Sequence, residues 1–146
     1  MGRGTTNNKG RNYNWYGGNM TRKLGNGMED NFRRAANVLK NDIVQSFPST
    51  GSTGTRSGGP GGSAPPGSPP AVQTGNLRRS MNWEVNRRGM LDIIARVGTG
   101  IGSAVSAGYA VWQEFGTRRS AARPFLRPML KKDRNKLAKI IGKNVL

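Results

Sequence analysis

The side chains here that could do chemistry are cations and aromatics, and residues 109–128 (YAVWQEFGTRRSAARPFLRP) concentrate them. Arg118, Arg119, Arg123 and Arg127 stand there among Tyr109, Trp112, Phe115 and Phe125. A guanidinium is a rigid planar fork that pairs with carboxylates or phosphates. Trp and Tyr are favoured anchors of protein interfaces. That chemistry is recognition. The chain has no histidine and no cysteine, which removes thiolate and imidazole zinc sites, disulfides, and His-based acid–base or triad catalysis. Of the seven carboxylates, Glu29–Asp30 is the only adjacent pair, and it suits the first turn of a helix, where negative charge meets the positive end of the dipole. No catalytic site, metal or cofactor is expected.

The elements that must position these residues follow from local pattern. Tyr109, Trp112 and Phe115 recur every third residue, so they share one face of a short helix. Gly116 stops it, because glycine enters the left-handed region without a Cβ clash. Pro124 and Pro128 push the residue before each out of helical space. Residues 123–127 are therefore expected to be extended, with Pro128 opening a final helix over 128–146. Leu130, Leu137, Ile140 and Ile141 give that helix a narrow apolar seam, Met129 lies beside it, and lysines and arginines cover the rest.

Upstream, residues 28–47 read as the first helix. Met28, Phe32, Ala35, Ala36, Leu39, Ile43 and Phe47 keep the spacing of one apolar face. Asn26 is its expected N-cap, and Pro48 ends it. Residues 48–73 hold six prolines and seven glycines and form no regular element. They read as a loop or spacer. Residues 74–80 lead into a hairpin. Met81, Trp83 and Val85 alternate with polar neighbours, Arg87, Arg88 and Gly89 make the turn, and Leu91, Ile93, Ala95 and Val97 alternate on the return. Residues 98–108 are small and glycine-rich, but they lack the Lys-Ser/Thr of a P-loop and the acidic partner of a dinucleotide fold, so they read as a mobile loop. The fold class is α+β: a helix laid on a small antiparallel sheet built on the hairpin, then a short helix and a C-terminal helix. The domain expected is 28–146, interrupted by the spacer at 48–73.

Residues 1–27 show no helical or strand period and read as a flexible basic arm. Tyr13, Trp15 and Tyr16 lie there among Arg3, Lys9, Arg11, Arg22 and Lys23. They anchor the arm on a neighbouring protein, stack on bases, or simply lie in a disordered tail. A chain lacking 1–27 is expected to keep its fold and to dock less well.

Two motifs carry a family resemblance. EFGT followed by ARPFLRP and a charged helix, at 114–128, resembles the C-terminal signature of the tail-completion (head–tail joining, neck or tail-terminator type) proteins of long-tailed bacteriophages. QTGNLRRS, at 73–80, is similar to the family's TGNLR segment ahead of its hairpin, here Thr74, Gly75, Leu77, Arg78 and Arg79. The resemblance spans roughly residues 28–141 with a gap at the spacer. It implies a structural virion protein forming a ring, usually sixfold, between the head connector or stopper protein and the tail tube protein, with DNA passing through the lumen without sequence specificity. It also implies that Glu114, Phe115, Gly116, Pro124 and Phe125 hold the turn and the subunit contact. Arg78, Arg79, Arg118, Arg119, Arg123 and Arg127 become interface or lumen residues, with arginine–carboxylate pairs across subunits. The basic aromatic arm and the long spacer depart from the family pattern.

The whole-chain balance agrees with an interface role. The net charge of +17 on 146 residues attracts any polyanion. Apolar content is 34%, well below the globular norm of roughly half. No apolar run nears the roughly 20 residues that cross a bilayer, and the N-terminus lacks a secretory block, so a cytosolic site of synthesis and no membrane partner are expected. Residues 74–146 carry fifteen basic and four acidic residues, a self-repulsion that favours stabilisation by a partner. The alternative to the neck protein is a small basic nucleic-acid-binding protein.

Overall fold

The computed structural model describes residues 17–48, 66–70, 75–102 and 108–143. Helix α1 (Gly17–Ser46) is followed by a five-residue helix α2 (Asn76–Ser80), strands β1 (Met81–Arg87) and β2 (Ile93–Thr99), helix α3 (Ala110–Phe115) and helix α4 (Leu126–Ile141). The two strands form one antiparallel sheet. α1 packs against both strands and against α4. The architecture is the expected α+β layer.

The core forms where the apolar stripe of α1 meets the other elements. Ala35, Leu39, Ile43 and Phe47 from α1 and its C-terminal end cluster with Leu77, Met81, Ala110, Phe125 and Leu137. The Phe47 and Phe125 rings sit 5.3 Å apart and tilted, in the distance range where aromatic pairs attract. A two-stranded hairpin is marginal by itself, so the cover provided by α1 is what stabilises it. Its register pairs Met81 with Thr99, Trp83 with Val97 and Val85 with Ala95. That register sets Met81, Trp83, Val85, Ile93, Ala95 and Val97 on one face, as the period-two pattern requires, with Ile94 on the other. On the other face Arg96 pairs with Glu84 at 3.0 Å.

Several element bounds differ from the sequence reading. α1 begins at Gly17, so 17–27 is helix rather than arm. Four glycines in that stretch argue against helix by propensity, and a tertiary contact overrides them. Gly25 is buried against the hairpin turn, and a Cβ there would overlap the Arg87 guanidinium and the Met90 carbonyl. Asn26 is consequently not an N-cap; inside the helix, it accepts a hydrogen bond from Arg87 Nη1 at 2.8 Å. Glu29 likewise lies mid-helix, paired with Arg33 at 2.7 Å and with Arg87 at 3.8 Å. Removing 1–27 would therefore strip the turn's seat from α1, against the expectation that the fold survives. Tyr13, Trp15, Tyr16 and Thr74 lie outside the described residues.

Other corrections are local. Leu91 belongs to the hairpin loop and is exposed, because β2 starts at Ile93. Gly98 and Thr99 belong to β2 rather than to the following loop. In the spacer, Gly67 donates its N–H to Ala122 O at 3.0 Å and Pro70 is buried, so 66–70 is part of the packed domain. α4 starts at Leu126, two residues before Pro128. Proline remains compatible because no intrahelical acceptor serves the N–H groups of a first turn. Leu130 is exposed and off the seam. The inward stripe of α4 runs through Met129, Asp133, Leu137, Ile140 and Ile141, and a carboxyl occupies the position where an apolar side chain would be looked for.

Candidate functional site

The 109–128 stretch folds into a corner in which α3 and the start of α4 are locked together, and Glu114 is the lock. α3 is short, so its register decides everything. Ala110 and Glu114, one turn apart, point inward and are buried, while Val111, Trp112 and Phe115 point outward. The Glu114 carboxylate accepts the backbone N–H groups of Phe125 (2.8 Å) and Leu126 (3.0 Å) at Oε2. It accepts those of Arg127 (3.0 Å) and the Arg127 Nε–H (3.3 Å) at Oε1. The first N–H groups of a helix lack intrahelical partners, and here one carboxylate from another helix serves three of them. Negative charge at that end also meets the positive end of the α4 dipole. Burial pushes the Glu114 carboxyl up, but the three backbone donors and Arg127 together hold it below the usual carboxylate range.

Gly116 makes the connection possible. It has φ 76° and ψ 177°, a conformation open essentially to glycine alone. The positive φ follows from the sequence, although ψ places it outside the ordinary left-handed helical cap. A Cβ there would stand 2.8 Å from Ala122 N and 3.0 Å from Ser120 O. The chain then makes a tight turn in which Thr117 and Ser120 exchange backbone hydrogen bonds at 2.8 and 3.3 Å. Arg118 and Arg119 are carried on its exposed tip. Arg123 N–H returns to Gln113 O at 2.7 Å, and the Arg123 guanidinium reaches Ser120 Oγ at 3.3 Å. Pro124 is half-buried and Phe125 is 1% exposed.

The frame presents an apolar face to solvent. Trp112 is 63% and Phe115 64% exposed, with Val111 beside them on α3 and Leu130 on the exposed side of α4. The Arg127 guanidinium lies 4.3 Å from the Phe115 ring centroid, an attraction between cation and π-face that leaves Arg127 largely accessible.

The expected site residues thus divide into two groups. Trp112, Phe115, Arg118, Arg119 and Arg127 are at the surface of the corner. Glu114, Gly116, Pro124 and Phe125 build it from within, and Tyr109 is half-buried against the core. Glu114 and Phe125 are therefore corrected from contact residues to frame residues, because their side chains are already satisfied inside the subunit. Gly75, Leu77, Arg78 and Arg79 are elsewhere, on and before α2. Gly75 has φ 73° at its start, Leu77 is buried, and Arg78 and Arg79 are exposed. The clamp could not be read from spacing alone, since a Glu eleven to thirteen residues before its donors carries no periodic signal. The expected seam of α4 included Leu130, and Val111 carries no periodic signal of its own; both are exposed.

A second polar cluster lies in a groove of about 350 Å³ between α1 and α4, lined by Asp42, Gln45, Ser46, Met129, Lys132, Asp133 and Lys136. Lys136 Nζ donates to Asp42 at 2.6 Å. Asp133 is buried and its Oδ2 meets no donor. Burial first, and then the charge of Asp42, push the Asp133 carboxyl up. The two observations agree, since a buried carboxyl without a donor resists ionisation. Among the described residues no group of three acidic side chains could hold a metal ion, and no helix is long and apolar enough to cross a membrane.

No protein-family model, no curated protein and no solved structure matches this chain.

Proposed function

We propose that this chain is a structural protein of the phage neck, which assembles as a ring with copies of itself, six by family resemblance, and joins the tail tube to the head connector around passing DNA. The motifs at 73–80 and 114–128 are the basis of the family reading. The observation that carries the interface reading is the Trp112–Phe115 face, solvent-exposed on a corner clamped by Glu114 and a glycine-only turn. A rigid aromatic surface loses little entropy on docking, and exposed apolar patches mark interaction sites. The site of action is the virion neck, after assembly in the bacterial cytoplasm.

The test is genetic and structural. In a tailed phage carrying this gene, its loss should leave filled heads and finished tails unjoined, and the protein supplied separately should restore joining. Joined, infectious particles lacking the protein would overturn the proposal. The nucleic-acid-binding alternative rests on the charge of +17. It requires affinity for DNA that falls by orders of magnitude between low and moderate salt, with no requirement for the protein in joining.

A further inference from the structure

The exposed corner of α3 and α4 is rimmed by cations, and the origin of their counter-charge can be worked out because carboxylates are so few. All seven lie among the described residues. Glu29 is held by Arg33 and Arg87, Asp42 by Lys136, and Glu84 by Arg96. Glu114 is spent on the start of α4, and Asp133 is buried. Only Asp30 and Asp92 are exposed and without an ion pair. Both belong to the end of the molecule where the hairpin turn meets Gly25 on α1. The aromatic corner packs at the other end of α1, through Phe47 and Phe125, about 30 Å away at 1.5 Å per helical residue.

At the corner itself, Arg118, Arg119, Lys131 and Arg134 are exposed and meet no carboxylate, and Arg127 shares one that is already committed to three N–H groups. Segments outside the described residues contain no Asp or Glu, so none of them brings a carboxylate side chain to these cations. A second copy fits poorly as well: its two available carboxylates sit beside Arg22, Lys23, Arg33, Arg34, Arg87 and Arg88. Like charges brought together across an interface cost several kcal/mol.

We propose that the Val111–Trp112–Phe115 face, with Leu130 and the surrounding arginines, docks an acidic, apolar-anchored protein segment from a different chain. The aliphatic members of the face favour protein over nucleic acid, because Val111 and Leu130 offer no plane on which a base can stack, whereas Leu, Ile or aromatic anchors pack on all four. Interface arginines would then bind carboxylates with their planar forks. The inference takes from the neck reading only that this face is an interface. It goes further in assigning the face to a neighbour of opposite charge, so copy-to-copy contacts of a ring must use other surfaces.

The test uses the full chain and three labelled probes at about 150 mM salt, where the Debye length of about 8 Å mutes bulk attraction. They are a peptide alternating Glu/Asp with Leu and Phe, an oligoglutamate of equal charge, and a thymidine oligonucleotide. Fluorescence anisotropy reads binding. The amphipathic peptide should bind at least tenfold more tightly than oligoglutamate. The double variant Trp112→Ala/Phe115→Ala should lose that tenfold excess while still binding oligoglutamate like the parent, and an unchanged far-ultraviolet circular dichroism spectrum and unfolding midpoint show that the variant remains folded. Equal binding of both peptides, or an excess that survives in the double variant, overturns the proposal. So does an oligonucleotide whose affinity depends on Trp112 and Phe115 as strongly, or self-association of the chain abolished by the same substitutions. None of these outcomes depends on whether the protein is needed for head–tail joining.

Discussion

Replacing Glu114 by Gln tests whether one carboxylate holds the corner. The substitution keeps the size of the side chain and removes its charge. In the parent, two oxygens accept from Phe125, Leu126 and Arg127 backbone N–H groups and from Arg127 Nε. In the variant one oxygen becomes an NH₂ that faces donors. At least one buried N–H then loses its acceptor, at a cost of about 1–3 kcal/mol. Losing the charge at the start of α4 adds roughly 0.3–1 kcal/mol. The expected total, about 1–4 kcal/mol, is a large share of the 5–15 kcal/mol that holds a typical domain folded. The pH dependence has a definite sign. The folded carboxyl lies below its ordinary value, so its contribution is complete above the unfolded value of 4.5 and is lost as pH falls through the lower folded value. Urea unfolding of parent and variant should therefore differ at neutral pH and converge on acidification. Equal midpoints at neutral pH, or a gap unchanged by acid, would refute the clamp.

Gly116→Ala should destabilise by about 1–3 kcal/mol from backbone strain alone, more if Ala122 cannot shift, and a thermal midpoint equal to the parent's would contradict the turn geometry. Asp133→Asn should gain on the parent as pH rises. The raised folded value of Asp133 means that its stabilising contribution is present below the unfolded value and lost as pH climbs through the folded one, whereas Asn is uncharged throughout; a stability difference that stays flat from about pH 4 to pH 8 would contradict the raised carboxyl. Gly25→Ala should loosen the hairpin turn from α1, read as faster amide exchange at Arg87–Met90, and unchanged protection there would show that the close approach is dispensable.

Periodic features of the sequence were legible: the apolar face of α1, the alternation of β1 and β2, the short α3, and the positive φ at Gly116. Each rests on local spacing or on a conformation only glycine adopts. What was not legible depends on contacts remote in sequence. Residues 17–27 are helical because the hairpin turn seats on Gly25. α4 begins at Leu126 because Glu114 satisfies its first N–H groups. Asp133 is buried on the inward stripe of α4, in a groove it shares with Asp42 of α1. The arginines at the corner were visible as a charge run, but that Arg118 and Arg119 meet no carboxylate emerged only once every carboxylate had a location.

The central claim is that this subunit is completed by neighbours in a phage neck, and the most direct test is to locate the chain in purified virions by electron cryomicroscopy. The account predicts a ring of copies at the head–tail junction, with the Trp112–Phe115 corner covered by an acidic surface of the adjoining protein. Virions without the protein, or a ring whose Trp112 and Phe115 remain bathed in solvent, would contradict it.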